Sequence, residues 1–205
     1  MKQNNNVDLI MPSGYKSIAI AFFVSIVSFL LICDTLGWIA LLAGLFFLYS
    51  YRNPILGFIP KDEKNIYAPI QGKISSIDTK DDKYKVYIDV NLCNAHVLRA
   101  PKDGKFLIKK IIHGLNLCHN TYKAKQFNTR ATIKIDDVKM KFLVGLCNKE
   151  ISFTKESGEK VDTSDIIGMF FHGQVCVEFP KDKYNIHVSI GDKLEYETKL
   201  ATPRD

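Results

Sequence analysis

The side chains best suited to chemistry are His96, His113, His119, His172 and His187, with Cys33, Cys93, Cys118, Cys147 and Cys176. No two of the histidines stand at the H-x-x-x-H spacing that holds a metal on one helix face, and the cysteines form no C-x-x-C pair. An odd, widely spaced set of thiols reads as buried and reduced, in a reducing compartment. Neither G-x-S-x-G nor a glycine-rich phosphate loop occurs, so spacing alone indicates no enzyme class, no metal and no bound cofactor.

The elements that position these residues are uneven in character. Of 50 charged side chains only Lys2, Asp8, Lys16, Asp34 and Arg52 precede residue 53, and the formal net charge is +6 over 205 residues. An apolar head is joined to an ordinary charged body. The body's modest basic surplus suits a place beside an anionic membrane and falls short of a nucleic-acid-binding pattern.

Ser17–Cys33 and Thr35–Tyr51 are uncharged runs of 17 residues each, parted only by Asp34. Each is at the short end of what spans a bilayer, and basic residues flank the outer ends rather than the turn. The pattern predicts a cytoplasmic tail over 1–16 and a transmembrane helical hairpin over 17–51, with both ends in the cytoplasm of an inner-membrane protein. A cleaved signal would want small residues before its cut, and a lipoprotein one before Cys33, where Leu31 and Ile32 stand. A soluble helical pair would have to bury every face of both helices.

After Asn53-Pro54 the pattern becomes short and alternating. Residues 84–90, 129–135, 138–142, 175–179 and 185–190 read as half-buried strands. Turns are predicted at Asp78–Lys83, Pro101–Gly104, Ser157–Glu159, Pro180–Lys183 and Gly191-Asp192, while Asn120–Phe127 makes at most a turn or two of helix. Residues 52–205 are therefore expected to form a β domain. No long repeat stands out, although Gly158-Glu-Lys-Val161 and Gly191-Asp-Lys-Leu194 share a pattern that marks two similar turns.

The order of segments resembles a family. Tyr51-Arg52-Asn53-Pro54, Ile59-Pro60, Ala68-Pro69-Ile70-Gln71-Gly72-Lys73-Ile74, the block Asn94-Ala95-His96-Val97-Leu98-Arg99-Ala100-Pro101, and Gly168–Val175 closing at Pro180 resemble the short, bacterial-type phosphatidylserine decarboxylases. The resemblance implies a mainly β body of barrel-sandwich kind behind a membrane hairpin. It also implies a self-cleaving serine that becomes a pyruvoyl group, the electron sink for decarboxylation, activated by an aspartate and a histidine. By the same resemblance Gly173 takes the serine position, His172 the glycine before it, Gln71 the aspartate position and His96 the histidine. A register shifted by one would put Gln174 at the serine position, and neither residue carries a nucleophile.

The expectation is thus a protein of phospholipid metabolism that forms no pyruvoyl. It would bind membrane phospholipid headgroups, or partner an active homologue or a second copy. Cys176, Thr163 and Ser164 are too far along the chain to replace the serine. Two rivals stay open at this point: an active decarboxylase working by altered chemistry through His96 and His172, and a membrane-anchored adaptor β domain. The topology itself is testable. A cysteine placed at Asp34 in a Cys33→Ser background is expected to react with an impermeant thiol reagent from outside, and one placed at Lys61 is not; the reverse labelling would overturn the predicted orientation.

Overall fold

A computed structural model of the chain describes residues 8–57, 64–146 and 151–204. Lys2, Ile59, Pro60, Lys61 and Cys147 lie outside them. The chain divides into two compact units, residues 1–55 and 56–205.

The first unit is a helical pair. A 3-10 turn at Pro12–Gly14 runs into α1 (Tyr15–Leu31), extended Cys33 breaks the helix, and α2 (Asp34–Ser50) follows with Asp34 in its first turn, where a carboxylate favours the helix dipole. The helices meet through small residues: Ala21, Ser25 and Ser28 of α1, and Gly37, Ala40 and Gly44 of α2, are buried. Ser25 Oγ donates to the Gly37 carbonyl at 2.9 Å. A side chain at Gly37 would strike the Phe29 ring at 2.6 Å, so the glycine is what lets the backbones close. Large apolar side chains such as Phe23, Leu30, Ile39 and Leu42 face outward, the inverse of a soluble core and the usual arrangement of helices in lipid. The Pro12–Leu31 stretch, 20 residues, is long and apolar enough to cross a membrane, while α2 at 17 residues is shorter. The Arg52-Asn53 motif closes this unit: Asn53 N–H donates to the Leu9 carbonyl at 2.8 Å, its amide donates to the Asp8 carbonyl at 2.9 Å, and Arg52 lies over the Tyr49 ring.

The second unit is mainly β. Its largest sheet holds β2 (Gly72–Lys80), β3 (Lys83–Val90), β5 (Gly104–Ile112), β6 (Arg130–Ile135), β7 (Val138–Val144), β9 (Lys160–Val161), β11 (Gly173–Pro180) and β13 (Lys193–Leu194), in the order β13-β2-β3-β11-β7-β6-β5-β9. Two three-stranded sheets complete it: β1 (Ile66–Tyr67), β14 (Lys199–Pro203) and β12 (Tyr184–Ile186); and β4 (Val97–Arg99), β10 (Ile166–Met169) and β8 (Ser152–Phe153). Alternate residues Val86, Ile88 and Val90, Ile133 and Ile135, Met140 and Phe142, and Val175, Val177 and Phe179 form the core of the large sheet. Each such side chain contributes roughly 1.5–3 kcal/mol by leaving water.

Four of the five strands predicted from alternation fall within a residue or two of their places. The fifth, 185–190, is shorter: only Tyr184–Ile186 pairs, because the chain turns where Asp192 accepts from the Ser189 N–H at 2.8 Å. The expected Asp78–Lys83 turn shrinks to Asp81-Asp82. β2 and β5 escaped the alternation test because each carries a bulge, between Ile74 and Ser76 and between Ile108 and Lys110, which breaks the period.

A repeat does exist. Ala68-Pro69-x-x-Gly72-Lys73 returns as Ala100-Pro101-x-x-Gly104-Lys105, and the two Gly-acid-Lys turns return with it. The hydrogen bonds follow the repeat. Ala68 N–H donates to Thr198 O at 2.9 Å as Ala100 N–H does to Asp165 O at 2.8 Å, and Ile74 N–H donates to Asp192 O at 2.9 Å as Phe106 N–H does to Glu159 O at 2.8 Å. The palindromic strand order is the same two-fold relation at the level of the sheet.

The tightest turn offers a test. Asp81 and Asp82 have φ of 56° and 54°, as a type I′ hairpin requires; aspartate tolerates this region, and asparagine followed by achiral glycine suits it better. Replacing the pair by Asn-Gly is expected to stabilise the full chain by about 1 kcal/mol, read as a higher urea midpoint; the Lys85–Asp81 pair that is lost is long, at 3.8 Å, and open to water on its Asp81 side, so it contributes little.

Candidate functional site

The repeated segments set Gln71 at the entrance to β2 and His96 just before β4. The Gln71 amide oxygen accepts from Ala95 N–H at 2.8 Å and its amide nitrogen donates to Glu195. His96 is fully buried; its Nε2 lies 3.3 Å from the Asn91 carbonyl, its ring stacks obliquely on Phe171 at 4.9 Å, and its own carbonyl accepts from Phe170 N–H at 2.9 Å. Phe170 and Phe171 lead directly into His172 and Gly173. The contacts therefore run without a gap from Gln71 through Ala95 and His96 to the start of β11.

Gly173 opens β11 between Val90 of β3 and Val144 of β7. Its φ is +138°, and a side chain there would come within 2.8 Å of Gly145 N and closer still to the Leu143 carbonyl. Both facts require glycine in this backbone.

His172 turns to a residue that sequence spacing gave no reason to single out. Its ring packs edge-on against His119 at 5.1 Å, and the Nδ1 atoms of both are buried without a hydrogen-bond partner. Both Nδ1 atoms face the backbone of Gly145, where any side chain would collide with them. Asp89 anchors the cluster. Its Oδ1 lies 4.0 Å from His119 Nε2, accepts from Gln174 Nε2 at 2.9 Å, and accepts from Ser75 Oγ at 3.1 Å. Burial pushes the His172 imidazole below its ordinary value, and the neighbouring His119 adds to this, against opposing effects of the Leu146 backbone and Asp89.

The outward face of the large sheet carries a groove of about 670 Å³, lined among others by Lys85, Lys110, Lys125, Arg130, Lys141 and Glu178. A smaller one of about 330 Å³ is lined by Lys73, Ser75, Asp89 and Asn91. His119 and Asn120 border both grooves. Gln71, His96, His172 and Gly173 line neither, whereas Gln174, next to Gly173, lines the larger. Two of the hydroxyl and thiol groups weighed from the sequence have other engagements. Burial, and then Glu178, push the Cys176 thiol up to about 12, and Thr163 binds Asp103 through both its N–H and its hydroxyl. Among the described residues no group of three or more His, Cys, Asp or Glu side chains is placed to hold a metal ion.

The fold is a β domain, preceded by an apolar helical pair, with His172 and Gln174 on either side of Gly173 at the start of one central strand and His119 and Asp89 packed against them. Comparison with known proteins identifies the family. The phosphatidylserine decarboxylase profile matches residues 43–202. The phosphatidylserine decarboxylase proenzyme of Desulfotalea psychrophila is 30% identical over 196 residues, covering 88% of this chain and 90% of that protein. The proenzymes of Ehrlichia ruminantium (strain Gardel) and Pelagibacter ubique are 28% and 29% identical, over 90% and 94% of this chain and 86% and 95% of their own lengths. The chain belongs to the phosphatidylserine decarboxylase family. No solved structure matches it significantly.

The lowered His172 value carries a sign. Below about 6.5 an unfolded chain takes up a proton that the folded imidazole refuses. The contribution is therefore complete above that pH and is lost as pH falls toward the lower folded value. The unfolding temperature of the full chain is expected to drop between about pH 7.5 and about pH 5.5, and His172→Gln to flatten that drop; an unchanged slope in the variant would remove His172 as its cause.

Proposed function

We propose that this chain is a non-catalytic member of its family, held at the cytoplasmic face of the inner membrane by the hairpin over residues 17–51, with the body from residue 52 onward binding phospholipid headgroups there. An active homologue or a second copy is its natural partner. Gly173 carries the reading. The resemblance puts the pyruvoyl-forming serine at this position, yet the residue has no hydroxyl, its φ is +138°, and the Leu143 carbonyl and Gly145 N–H fill the space a Cβ would need. A pyruvoyl group does not fit these residues.

Position 71 supports the same reading. A carboxylate there would steady the imidazolium of a histidine acting as base. Gln71 is neutral, and its amide is spent on Glu195 and the Ala95 N–H. An aspartate would set two carboxylates against each other.

What remains suited to function is recognition. Lys85, Lys110, Lys125, Arg130 and Lys141 line the larger groove against only Asp78 and Glu178, a balance that attracts a phosphodiester. The hairpin, with small residues inside and large apolar ones outside, supports a spanning anchor.

Intact-mass measurement of the purified chain tests the central point. Full length is expected, and two fragments divided near residues 172–174 would restore the enzyme. Gly173→Ser alone is expected to stay uncleaved, since its hydroxyl would lack both room and an activating carboxylate; the carboxylate partner alone is worth about 10⁴-fold in serine-protease catalysis. Efficient cleavage of that variant would refute the assignments of Gly173 and Gln71 together.

A further inference from the structure

Between residues 104 and 135 the chain carries seven Lys or Arg side chains and not one Asp or Glu. The formal charge of the whole is +6, so everything outside this stretch sums to −1. The protein's basic character is the property of one hairpin: β5, the connection over 113–129, and β6.

The same stretch exposes apolar side chains that a solvated surface has no use for. Tyr122 is 87% exposed, Leu115 57%, Phe127 49% and Ile111 41%, and exposed Lys123 and Lys125 follow the tyrosine. These residues are presented on a braced support. Thr121 caps the short helix α3 (Tyr122–Phe127) by accepting from Ala124 N–H, the Asn128 amide donates to the carbonyls of Leu117 and Val144 at 2.6 Å each, and Thr129 N–H donates to Leu115 O at 3.1 Å. On the adjoining sheet face Lys110 lines both the larger groove and a neighbouring one of about 460 Å³, which Lys109, Lys134 and Lys139 also line.

Exposed apolar side chains within a polar rim mark an interaction surface. Here every charged side chain of the stretch is basic, so the partner is anionic, and Leu115 and Phe127 require that it also offer apolar depth. A bilayer with anionic lipids meets both conditions: aromatic rings settle at headgroup level, and lysines meet phosphates just above them. We propose that the 113–128 connection and the adjoining faces of β5 and β6 form a docking surface for an anionic lipid bilayer, with Tyr122, Leu115 and Phe127 entering its headgroup region. This goes beyond headgroup binding. It concerns the bilayer surface and holds whether or not a headgroup enters the groove, or the chain is cleaved.

The chain has a single tryptophan, Trp38, so the full-length Trp38→Phe/Tyr122→Trp protein reports from the surface alone. It is mixed with phosphatidylcholine vesicles, with and without phosphatidylglycerol, in which part of the lipid is brominated along its acyl chains. Trp38→Phe/Asp182→Trp reports from an exposed turn elsewhere on the body. With anionic vesicles the tryptophan at 122 is expected to shift to the blue, to be quenched by bromolipid, and to lose several-fold in iodide quenching; the one at 182 stays open to iodide. High salt, neutral vesicles, or Lys123→Glu with Lys125→Glu are expected to reverse the shift at 122. Two results would overturn the proposal: equal iodide access at 122 and 182 on anionic vesicles, or equal burial of 122 in neutral ones. Both are independent of the intact-mass result, so this inference and the non-catalytic reading can fail separately.

Discussion

Two backbone hydrogen bonds hold the β unit together where its halves cross. Tyr67 N–H donates to the Pro101 carbonyl and Arg99 N–H donates to the Pro69 carbonyl, each at 2.8 Å. Each copy of the Ala-Pro-x-x-Gly-Lys segment is thus satisfied by the strand that precedes the other. Proline makes the geometry economical: it has no N–H to leave unpaired and its fixed φ sets the turn, so its carbonyl alone remains to be used. From this clasp the chain enters β2 on one side and β5 on the other, and the palindromic order of the large sheet follows.

The clasp explains why one half of the architecture was legible and the other was not. β3, β6 and β7 lie well within the sheet and alternate cleanly, because one face meets the core and the other does not, and β11 kept its apolar alternation in sequence although Cys176 and Glu178 are buried as well; the helical pair was plain from continuous apolar runs. The repeat was hidden because its conserved content is small. Alanine, proline, glycine and lysine recur at 32-residue spacing, while Ile70 against Lys102 and Gln71 against Asp103 share neither charge nor size. Backbone bonds carry the symmetry, and they leave little trace in side-chain identity.

At the site the same limit applies differently. Gln71, His96, His172 and Gly173 could be named from a resemblance. His119 and Asp89 could not. One lies in the connection between β5 and β6 and the other on β3, and only the pairing of β3 with β11 brings Asp89 beside Gln174. No local spacing encodes a cluster assembled across three strands and a loop.

The two-fold relation also bears on what position 71 does. Its counterpart is Asp103, which accepts from the N–H and hydroxyl of Thr163 in the turn after β9; Gln71 donates to Glu195 in the matching turn after β13. In both halves the residue before the Gly-Lys pair ties the clasp to the turn facing it. A carboxylate at 103 has donors to meet, whereas one at 71 would meet the Glu195 carboxylate. The neutral amide at 71 is therefore what its partner turn demands, and the same scaffold role falls to the matching residue of each half. Gly173 is constrained in the same way by the Leu143 carbonyl. Polar pairing at one position and steric exclusion at the other each fix the residue type that this backbone accepts.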